Sequence, residues 1–539
     1  MGWPWVGISL VILFVIVVRI RFLDVPLERD EGEFAYVGQL MLEGIAPYKM
    51  AYVTKLPGTA AVYALSMSLF GQTPAGIHWG LLLANVAAIV LVFLLAKRWF
   101  GAGVGLMAGA TYALMSLSWG VYGNAAHATH FVAPAALGAF LLLLRGLESG
   151  RLAALFWSGI LFGFAFLLKQ PGIFFAAFGG LLLLGNDLKA RPVDWMLCLK
   201  KAAVFCLGII LPFAVLCLIL WHAGVFGRFW YWSFTVAAGG WVSMQQGWEN
   251  FIKFVHRLWL SRQWPFWVQA GLALPFVCRM HAARPLRLLF PSFCAVSILA
   301  GSVGWRFNPQ YFVLTLPAVG MAIGLGVMEA RWLLKNPPFP AFASFLPVTF
   351  YCLLCGCVMF ADRLYFFTGT PDEISGAIYP DAPFRAAVKV AACIQNNSAP
   401  DSRVAVIGSE PEIYFLAHRR SATGHLSTYI LMERRPYSRH MQEEMIREIK
   451  AAVPEYIVFI NLSSSWRMDL RARHTTLTDA MTQYEKDYYT LVGVLVDGPL
   501  PNQRLFYWDA QAMNYPSNPQ PYISVYKIRK PAVANQYRK

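Results

Sequence analysis

Long apolar runs recur through the first two-thirds of this chain, and they constrain its fold more than any other feature. The clearest of them, 77–96 and 202–222, contain no acidic or basic side chain other than histidine. A run of about 20 such residues is long enough to cross a bilayer as a helix. With 57% of all residues hydrophobic, the sequence predicts a polytopic α-helical membrane protein.

Runs of this kind predict about 11 transmembrane helices. The expected spans are 5–20, 77–96, 102–119, 125–144, 153–168, 172–186, 202–222, 264–278, 288–304, 310–328 and 340–360. They make residues 1–361 a membrane domain.

The net charge of +16 is explained by topology. Alternate loops are basic, which places them in the cytoplasm. These loops contain Lys97, Arg98, Arg145, Arg151, Lys189, Arg191, Lys200, Lys201, Arg279, Arg284, Arg287, Arg331 and Lys335. A nucleic-acid-binding protein would instead gather its positive charge on one face of a soluble domain, so a nucleic-acid partner is excluded.

Two predicted outer loops are long enough to carry structure. Loop 21–76 contains apolar–polar patterns that predict helices over 30–42 and 57–70, lying along the membrane surface. Loop 223–263 is rich in Trp, Phe and Tyr. Such rings anchor a protein at the water–lipid boundary, and they also stack on sugars; the sequence leaves both roles open.

The composition changes at about residue 362, and residues 362–539 are expected to form a soluble α/β domain on the non-cytoplasmic side. Residues 404–408 and 456–460 read as buried strands, and runs near 489–495, 503–508 and 521–527 would complete the sheet. Helical patterns at 383–396, 411–418 and 434–452 alternate with them, which favours a mostly parallel sheet.

Three carboxylates stand close together in the first outer loop: Asp30, Glu31 and Glu33. On a helix Asp30 and Glu33 share a face, whereas Glu31 points elsewhere. Acidic residues are favoured in a first helical turn, and Asp30 could serve as the N-cap. Crowded carboxylates also raise one another's pKa or hold a cation. Capping and function both remain open.

Three separated cations, Lys55, Lys169 and Arg306, are predicted on the same side of the membrane. Lys55 precedes a helix start at Pro57, and the other two stand at the outer ends of apolar spans. Together they could bind a phosphate or pyrophosphate, and lipid headgroups offer the same chemistry without specificity.

His127 and His130 stand at another outer turn. They either line a cavity or bind a divalent metal ion together with a first-loop carboxylate such as Glu31. No motif requires any other cofactor.

The ordered set of outer motifs resembles the bacterial branch of the protein mannosyltransferase-like GT-C glycosyltransferases, which includes lipopolysaccharide galacturonosyl- and aminoarabinose-transferase-like enzymes. The resemblance rests on Asp30-Glu31-Gly32-Glu33-Phe34-Ala35-Tyr36, Gly44, Pro47-Tyr48, Lys55, Pro57-Gly58, Leu168-Lys169-Gln170-Pro171-Gly172, Arg306-Phe307-Asn308-Pro309-Gln310-Tyr311-Phe312, Pro317 and Val406-Ile407-Gly408-Ser409-Glu410-Pro411-Glu412-Ile413-Tyr414.

The resemblance implies an inner-membrane enzyme whose active site and C-terminal domain face the periplasm. Its donor would be a polyprenyl-phosphate-linked sugar, and its acceptor a glycan, a glycolipid or a protein. Asp30, with Glu31 beside it, would be the catalytic base of an inverting transfer. Lys55, Lys169 and Arg306 would bind the donor phosphate. The resemblance also implies a substrate cavity formed by Glu33, Tyr36, Tyr48, His127, His130, Gln310 and Tyr311.

Two positions depart from the family pattern. Gln310 stands where the family often has histidine, and Thr129 and His130 stand near a turn that is often acidic. Other interpretations also remain. A lipid-linked oligosaccharide ligase or polymerase would have a similar architecture. A transporter would place charges at mid-membrane depth in two related halves, a pattern that this sequence lacks.

Overall fold

The computed structural model describes residues 2–189, 192–239, 242–279, 286–336, 339–433, 435–466, 475–497, 504–516 and 521–529. Arg191 and Arg284, which were used to predict topology, lie outside these residues. The same holds for 434 and 503, at the edges of two predicted elements.

The described part of the first 361 residues is mostly helical. The helices are α1 Trp3–Arg21, α2 Arg29–Leu42, α3 Gly58–Phe70, α4 Pro74–Phe100, α5 Ala102–Leu117, α6 Ala128–Ser149, α7 Leu152–Leu168, α8 Gly172–Asp187, α9 Trp195–His222, α10 Phe226–Trp230, α11 Met244–Leu260, α12 Trp264–Arg279, α13 Leu286–Gly301, α14 Leu316–Lys335 and α15 Leu346–Ala361.

Among the described residues, seven helical stretches are long and apolar enough to cross a membrane. They contain α1, α4, α6, α9, α13, α14 and α15. Three further predicted spans form the shorter apolar helices α5, α7 and α8. The polytopic helical fold is confirmed, and the total of about 11 spans stays a prediction.

The predicted span 310–328 was wrong at its start. Residues Pro309–Leu314 form a 3-10 segment, and α14 begins only at Leu316, with Pro317 in its first turn. Proline favours a first helical turn because its missing N–H has no partner there in any case. The apolar pattern runs through both segments and does not reveal the break between them.

In the described residues the C-terminal third combines helices with a six-stranded sheet, and together they are called the C-terminal or sheet layer. Its helices are α16 Pro371–Ile378, α17 Phe384–Asn396, α18 Glu412–Ala417, α19 Thr428–Leu431, α20 Ser438–Ala452, α21 Ser463–Trp466, α22 Thr476–Tyr488 and α23 Ala510–Met513. Its strands are β1 Arg403–Ile407, β2 Arg420–Ser421, β3 Tyr456–Ile460, β4 Tyr489–Asp497, β5 Arg504–Trp508 and β6 Ile523–Ile528.

The strand order is β2-β1-β3-β6-β4-β5. β1 runs parallel to β2 and β3, whereas β6 pairs antiparallel with β3 and β4, and β4 pairs antiparallel with β5. The expectation of a mostly parallel sheet was therefore wrong for its second half. β4 and β5 are separated by too few residues for a crossover helix, so these neighbours must run in opposite directions.

The first outer loop packs into the C-terminal layer. Phe34, Tyr36 and Tyr63 of α2 and α3 share one buried hydrophobic cluster with Val404 and Tyr414 of the sheet layer. At one point the two backbones touch, because a Cβ on Gly32 would lie 2.5 Å from the Glu412 nitrogen. The loop and the sheet layer therefore lie on the same side of the membrane. The domain boundary at 361/362 stays a prediction.

Candidate active site

The first turn of α2 is closed by Glu28 and Glu31. The Glu31 N–H donates to Glu28 Oε1 at 3.0 Å, and the Glu28 N–H donates to Glu31 Oε2 at 3.1 Å. This reciprocal pair is a capping box. Capping is therefore the work of Glu28 and Glu31, and the Asp30 carboxylate is left for other contacts.

Glu31 is turned away from the other carboxylates. Its Oε1 accepts from the Ala126 N–H at 2.6 Å and from His78 Nε2 at 3.0 Å. The other nitrogen of His78 lies 2.8 Å from the Leu23 carbonyl. Both ring nitrogens therefore donate, and His78 is an imidazolium ion paired with Glu31. The geometry makes Glu31 a buried link between the loop, α4 and the turn before α6.

Glu31→Gln is expected to destabilise the protein by about 3 kcal/mol, because a neutral side chain leaves the buried His78 cation without its counterion. Thermal unfolding of the purified protein in detergent measures the effect. A variant that melts like the wild type but transfers no sugar would instead support the predicted catalytic role of Glu31.

Asp30 and Glu33 share a face of α2, as predicted, and Lys55 bridges them. Lys55 Nζ lies 2.8 Å from Asp30 Oδ1, 3.1 Å from Glu33 Oε1 and 4.6 Å from the centre of the Phe34 ring. Tyr48 positions Lys55, because its hydroxyl donates to the Lys55 carbonyl at 2.8 Å. The predicted catalytic base, Asp30, and the predicted phosphate-binding cation, Lys55, are thus in direct contact.

This contact fixes the charge state of Asp30. Burial is the largest single influence and raises the pKa of Asp30, but the neighbouring positive charges, with Lys55 first among them, together hold that pKa well below its usual range. For Lys55, burial lowers the pKa, and Asp30 and Glu33 together raise it above its ordinary value. Asp30 is therefore an ionised carboxylate at neutral pH, with 28% of its side-chain surface exposed.

His127 faces the same carboxylates from the turn before α6. Its Nδ1 lies 3.7 Å from Glu28 Oε1 and 3.9 Å from Asp30 Oδ2. Its Nε2 is buried without a hydrogen-bond partner among the described residues. Burial lowers the pKa of His127 to about 4, so the ring is neutral and both carboxylates face a nitrogen ligand.

A cavity of about 670 Å³ opens beside these residues. Asp30, Lys55, Lys169 and Arg306, the four residues predicted to act together, all line it. His127, Gln310 and Tyr311 line it as well. Charges that are far apart in the sequence therefore converge on one space.

The Lys169 ammonium group lies 3.9 Å from the centre of the Tyr311 ring. Burial lowers the pKa of Lys169, and the Lys169 charge lowers the pKa of Tyr311. The Gln310 side-chain oxygen is buried and has no hydrogen-bond partner among the described residues. This wall thus offers a cation and a free acceptor to a ligand.

Other predicted cavity residues do not line this cavity. Tyr36 lies further along α2, and its hydroxyl accepts from the Ser421 N–H at 2.8 Å. His130 is fully buried in α6. Glu33 and Tyr48 instead contact Lys55, Glu33 at the ammonium group and Tyr48 at the backbone carbonyl. The predicted metal set of His127, His130 and Glu31 is not brought together; the described residues that meet are Glu28, Asp30 and His127.

The structure also adds lining residues that sequence reasoning missed, among them Glu28, Tyr122, Tyr379, Tyr429 and Glu433. The only signal for Glu28 was its spacing: it stands three positions before Glu31, as in a capping box, but the usual first residue of that pattern is Ser or Thr. The sequence gives no signal for Tyr379 or Tyr429, which follow the last span and reach the cavity only through the fold.

Comparisons with known proteins agree with this architecture. Residues 54–241 match the family described as dolichyl-phosphate-mannose-protein mannosyltransferase. No curated protein sequence matches the chain.

Two solved structures show the same fold. ArnT from Cupriavidus metallidurans bound to undecaprenyl phosphate is 16% identical, with a TM-score of 0.57 over 95% of this chain and 99% of that one. The archaeal oligosaccharyltransferase AglB from Archaeoglobus fulgidus, in complex with an inhibitory peptide and a dolichol-phosphate, is 12% identical, with a TM-score of 0.51 over 96% of this chain and 75% of that one.

Proposed function

We propose that this chain, which has the GT-C fold of the protein mannosyltransferase-like superfamily, moves a sugar from a polyprenyl-phosphate carrier to an acceptor. One observation carries the proposal: an ionised carboxylate, Asp30, and the cations Lys55, Lys169 and Arg306 line the same cavity. The two similar structures were solved with polyprenyl phosphates, and such a donor fits an anion-binding cavity beside a set of apolar helices. The acceptor is a glycan, a glycolipid such as lipid A, or a protein.

Asp30 is the base. It is ionised, and it retains exposed surface toward the cavity. It accepts the proton of an acceptor hydroxyl as that oxygen attacks the anomeric carbon of the sugar, and the carbon is inverted. The bond from that carbon to the phosphate oxygen breaks. The leaving group is a lipid phosphate, a stable anion, so no general acid is required.

The cations stabilise the phosphate. Lys55, Lys169 and Arg306 border the cavity, and charge builds on the phosphate oxygens as the glycosidic bond breaks. Lys55 is held by Asp30 and Glu33. A phosphate that draws Lys55 toward itself weakens the charge that lowers the pKa of Asp30. Donor binding thereby makes Asp30 a stronger base.

The orientation follows from the basic loops. Because the predicted cytoplasmic loops hold most of the basic residues of the membrane part, the cavity and the sheet layer face the periplasm in the inner membrane. Labelling of single cysteines placed in the first outer loop of intact cells tests this orientation.

The decisive experiment is an assay of the purified full-length protein with a panel of donors. We expect turnover of one of undecaprenyl-phosphate mannose, galacturonic acid or aminoarabinose, with release of undecaprenyl phosphate. A protein that releases no lipid phosphate from any single-sugar donor, yet uses a lipid-linked oligosaccharide, would be a ligase or polymerase. Transport of the donor without cleavage would make it a transporter.

Glu28, Asp30 and His127 fit a divalent cation. Their ligand atoms lie within 4.8 Å of one another. Two carboxylate oxygens and one neutral imidazole nitrogen form a donor set that suits zinc or manganese. Lys55 occupies only the other oxygen of Asp30, Oδ1, so the oxygen that faces His127 is left to the ion. A bound ion would add positive charge beside the phosphate.

We expect the purified protein to retain about one divalent ion per chain and His127→Ala to lose it. Elemental analysis after gel filtration measures the ion directly, without reference to activity. A metal-free wild-type protein that is fully active after chelation would show that Lys55 alone balances the carboxylates.

A further inference from the structure

The residue before the predicted base, Arg29, is bonded to the C-terminal layer. Arg29 precedes Asp30 in the first turn of α2. Its Nε donates to the Ser409 carbonyl at 2.5 Å, and its Nη2 donates to Glu410 Oε1 at 3.2 Å. Only 15% of the Arg29 side chain is exposed, and none of Glu410. The pair therefore joins the catalytic loop to the end of β1.

Glu410 is itself held on its other oxygen. Its Oε2 accepts from the Ser409 N–H at 2.6 Å and from the Ser465 hydroxyl at 2.7 Å. Ser465 belongs to α21, which follows β3. A carboxylate that is fixed at both oxygens holds its guanidinium partner in one place, because charge-assisted hydrogen bonds are short and directional.

The backbones of α2 and α18 also touch beside this ion pair. The contact of Gly32 with Glu412 leaves no space for a side chain between α2 and α18. The first turn of α2 is thus fixed by the capping box on one side and by β1, α18 and α21 on the other. Arg29, Asp30 and the sheet-layer residues Tyr429 and Ser464 line the same cavity.

We propose that Glu410 is a positioning residue: through Arg29 it sets the place of the Asp30 carboxylate, so that the C-terminal layer is part of the catalytic apparatus. The inference rests on the proposed function of Asp30. Displacement of a reacting group by about 1 Å costs as much as 100-fold in rate. The loss should appear in the chemical step, because the cations that hold the donor phosphate are not attached to Glu410.

Glu410→Gln is the central test, since glutamine has the same shape and can still accept from Ser409 and Ser465. We expect kcat to fall about 10- to 100-fold. The KM for the donor used by the wild type, and the Kd for undecaprenyl phosphate alone, should stay within about twofold. Ser465→Ala, which removes one support of Glu410, should lower kcat about threefold to tenfold.

The chain offers a matched control. Arg420 and Glu43 form another ion pair between the end of α2 and the sheet layer, at 2.9 Å, with both side chains well exposed and outside the cavity. Glu43→Gln should leave kcat and KM unchanged. Hydrogen exchange of the ligand-free protein supplies a readout without substrate: the amides of residues 28–34 should exchange faster in Glu410→Gln than in Glu43→Gln.

Two results would overturn the inference. One is a Glu410→Gln protein with wild-type kcat. The other is a joint loss of melting temperature, undecaprenyl phosphate binding and kcat in both Glu410→Gln and Ser465→Ala, which would make the pair a folding element only. An active wild type, an inactive Asp30→Asn and an unaffected Glu410→Gln would overturn this inference and leave the proposed function standing. A wild-type protein that is inactive on every donor would overturn both this inference and the proposed function.

Discussion

Asp30→Asn is expected to lower the rate of sugar transfer by about 10²- to 10⁴-fold, the contribution typical of a general base. Asparagine has the shape of aspartate but cannot take the proton of the acceptor hydroxyl. The residual rate should not depend on pH in the range where the wild type loses activity. Release of undecaprenyl phosphate at saturating donor measures the loss.

Binding separates lost chemistry from lost structure in this variant. Lys55 loses one of its two carboxylate partners in Asp30→Asn. With both proteins stripped of metal by chelation, undecaprenyl phosphate should therefore bind to the variant at least as tightly as to the wild type, while turnover is nearly absent. Glu43→Gln, an acidic-to-amide change at the far end of the same helix, is the matched control. A fully active Asp30→Asn protein would reject Asp30 as the base.

Lys55→Ala is expected to raise the KM for the donor by about 10- to 100-fold, the value of one charged hydrogen bond to phosphate. It should also change the pH dependence, because Lys55 is the strongest of the charges that hold the pKa of Asp30 below its usual range. Without Lys55, burial and the nearby Glu33 carboxylate raise that pKa.

The sign of the pH effect follows from the base role. The active form of Asp30 is the carboxylate, so activity is lost as the pH falls through its pKa. In the wild type this loss lies below the usual aspartate range, and in Lys55→Ala it should move to higher pH. Profiles of kcat/KM from about pH 4 to pH 7 measure the shift. Lys49→Ala, an exposed lysine in the same loop, should change neither quantity; an unshifted profile for Lys55→Ala would contradict the pairing.

Local patterns predicted most of the elements of this fold. Apolar runs marked the long helices, and β-branched runs marked β1 and β3, which lie at Arg403–Ile407 and Tyr456–Ile460. They are parallel because helices connect them. The insertion of β6 between β3 and β4 could not be predicted, because a strand pattern does not specify its neighbour.

For the candidate site, too, local patterns predicted some features and could not predict others. The spacing on α2 predicted that Asp30 and Glu33 would share a face without Glu31. The separation of Lys55, Lys169 and Arg306 along the chain gave no measure of their distances from Asp30; only their predicted common side of the membrane suggested a shared site. The roles of Tyr379 and Glu410 depend on contacts between distant segments, and no local pattern reports such contacts.

The joint between α2 and the end of β1 has a consequence for biosynthesis. Residues 29–32 leave the ribosome early, but their partners at 409–412 follow only after some 380 further residues have been made. Until then the Arg29 guanidinium lacks its Glu410 partner. The joint around Arg29 therefore cannot form until the segment that contains Ser409 and Glu410 has been made.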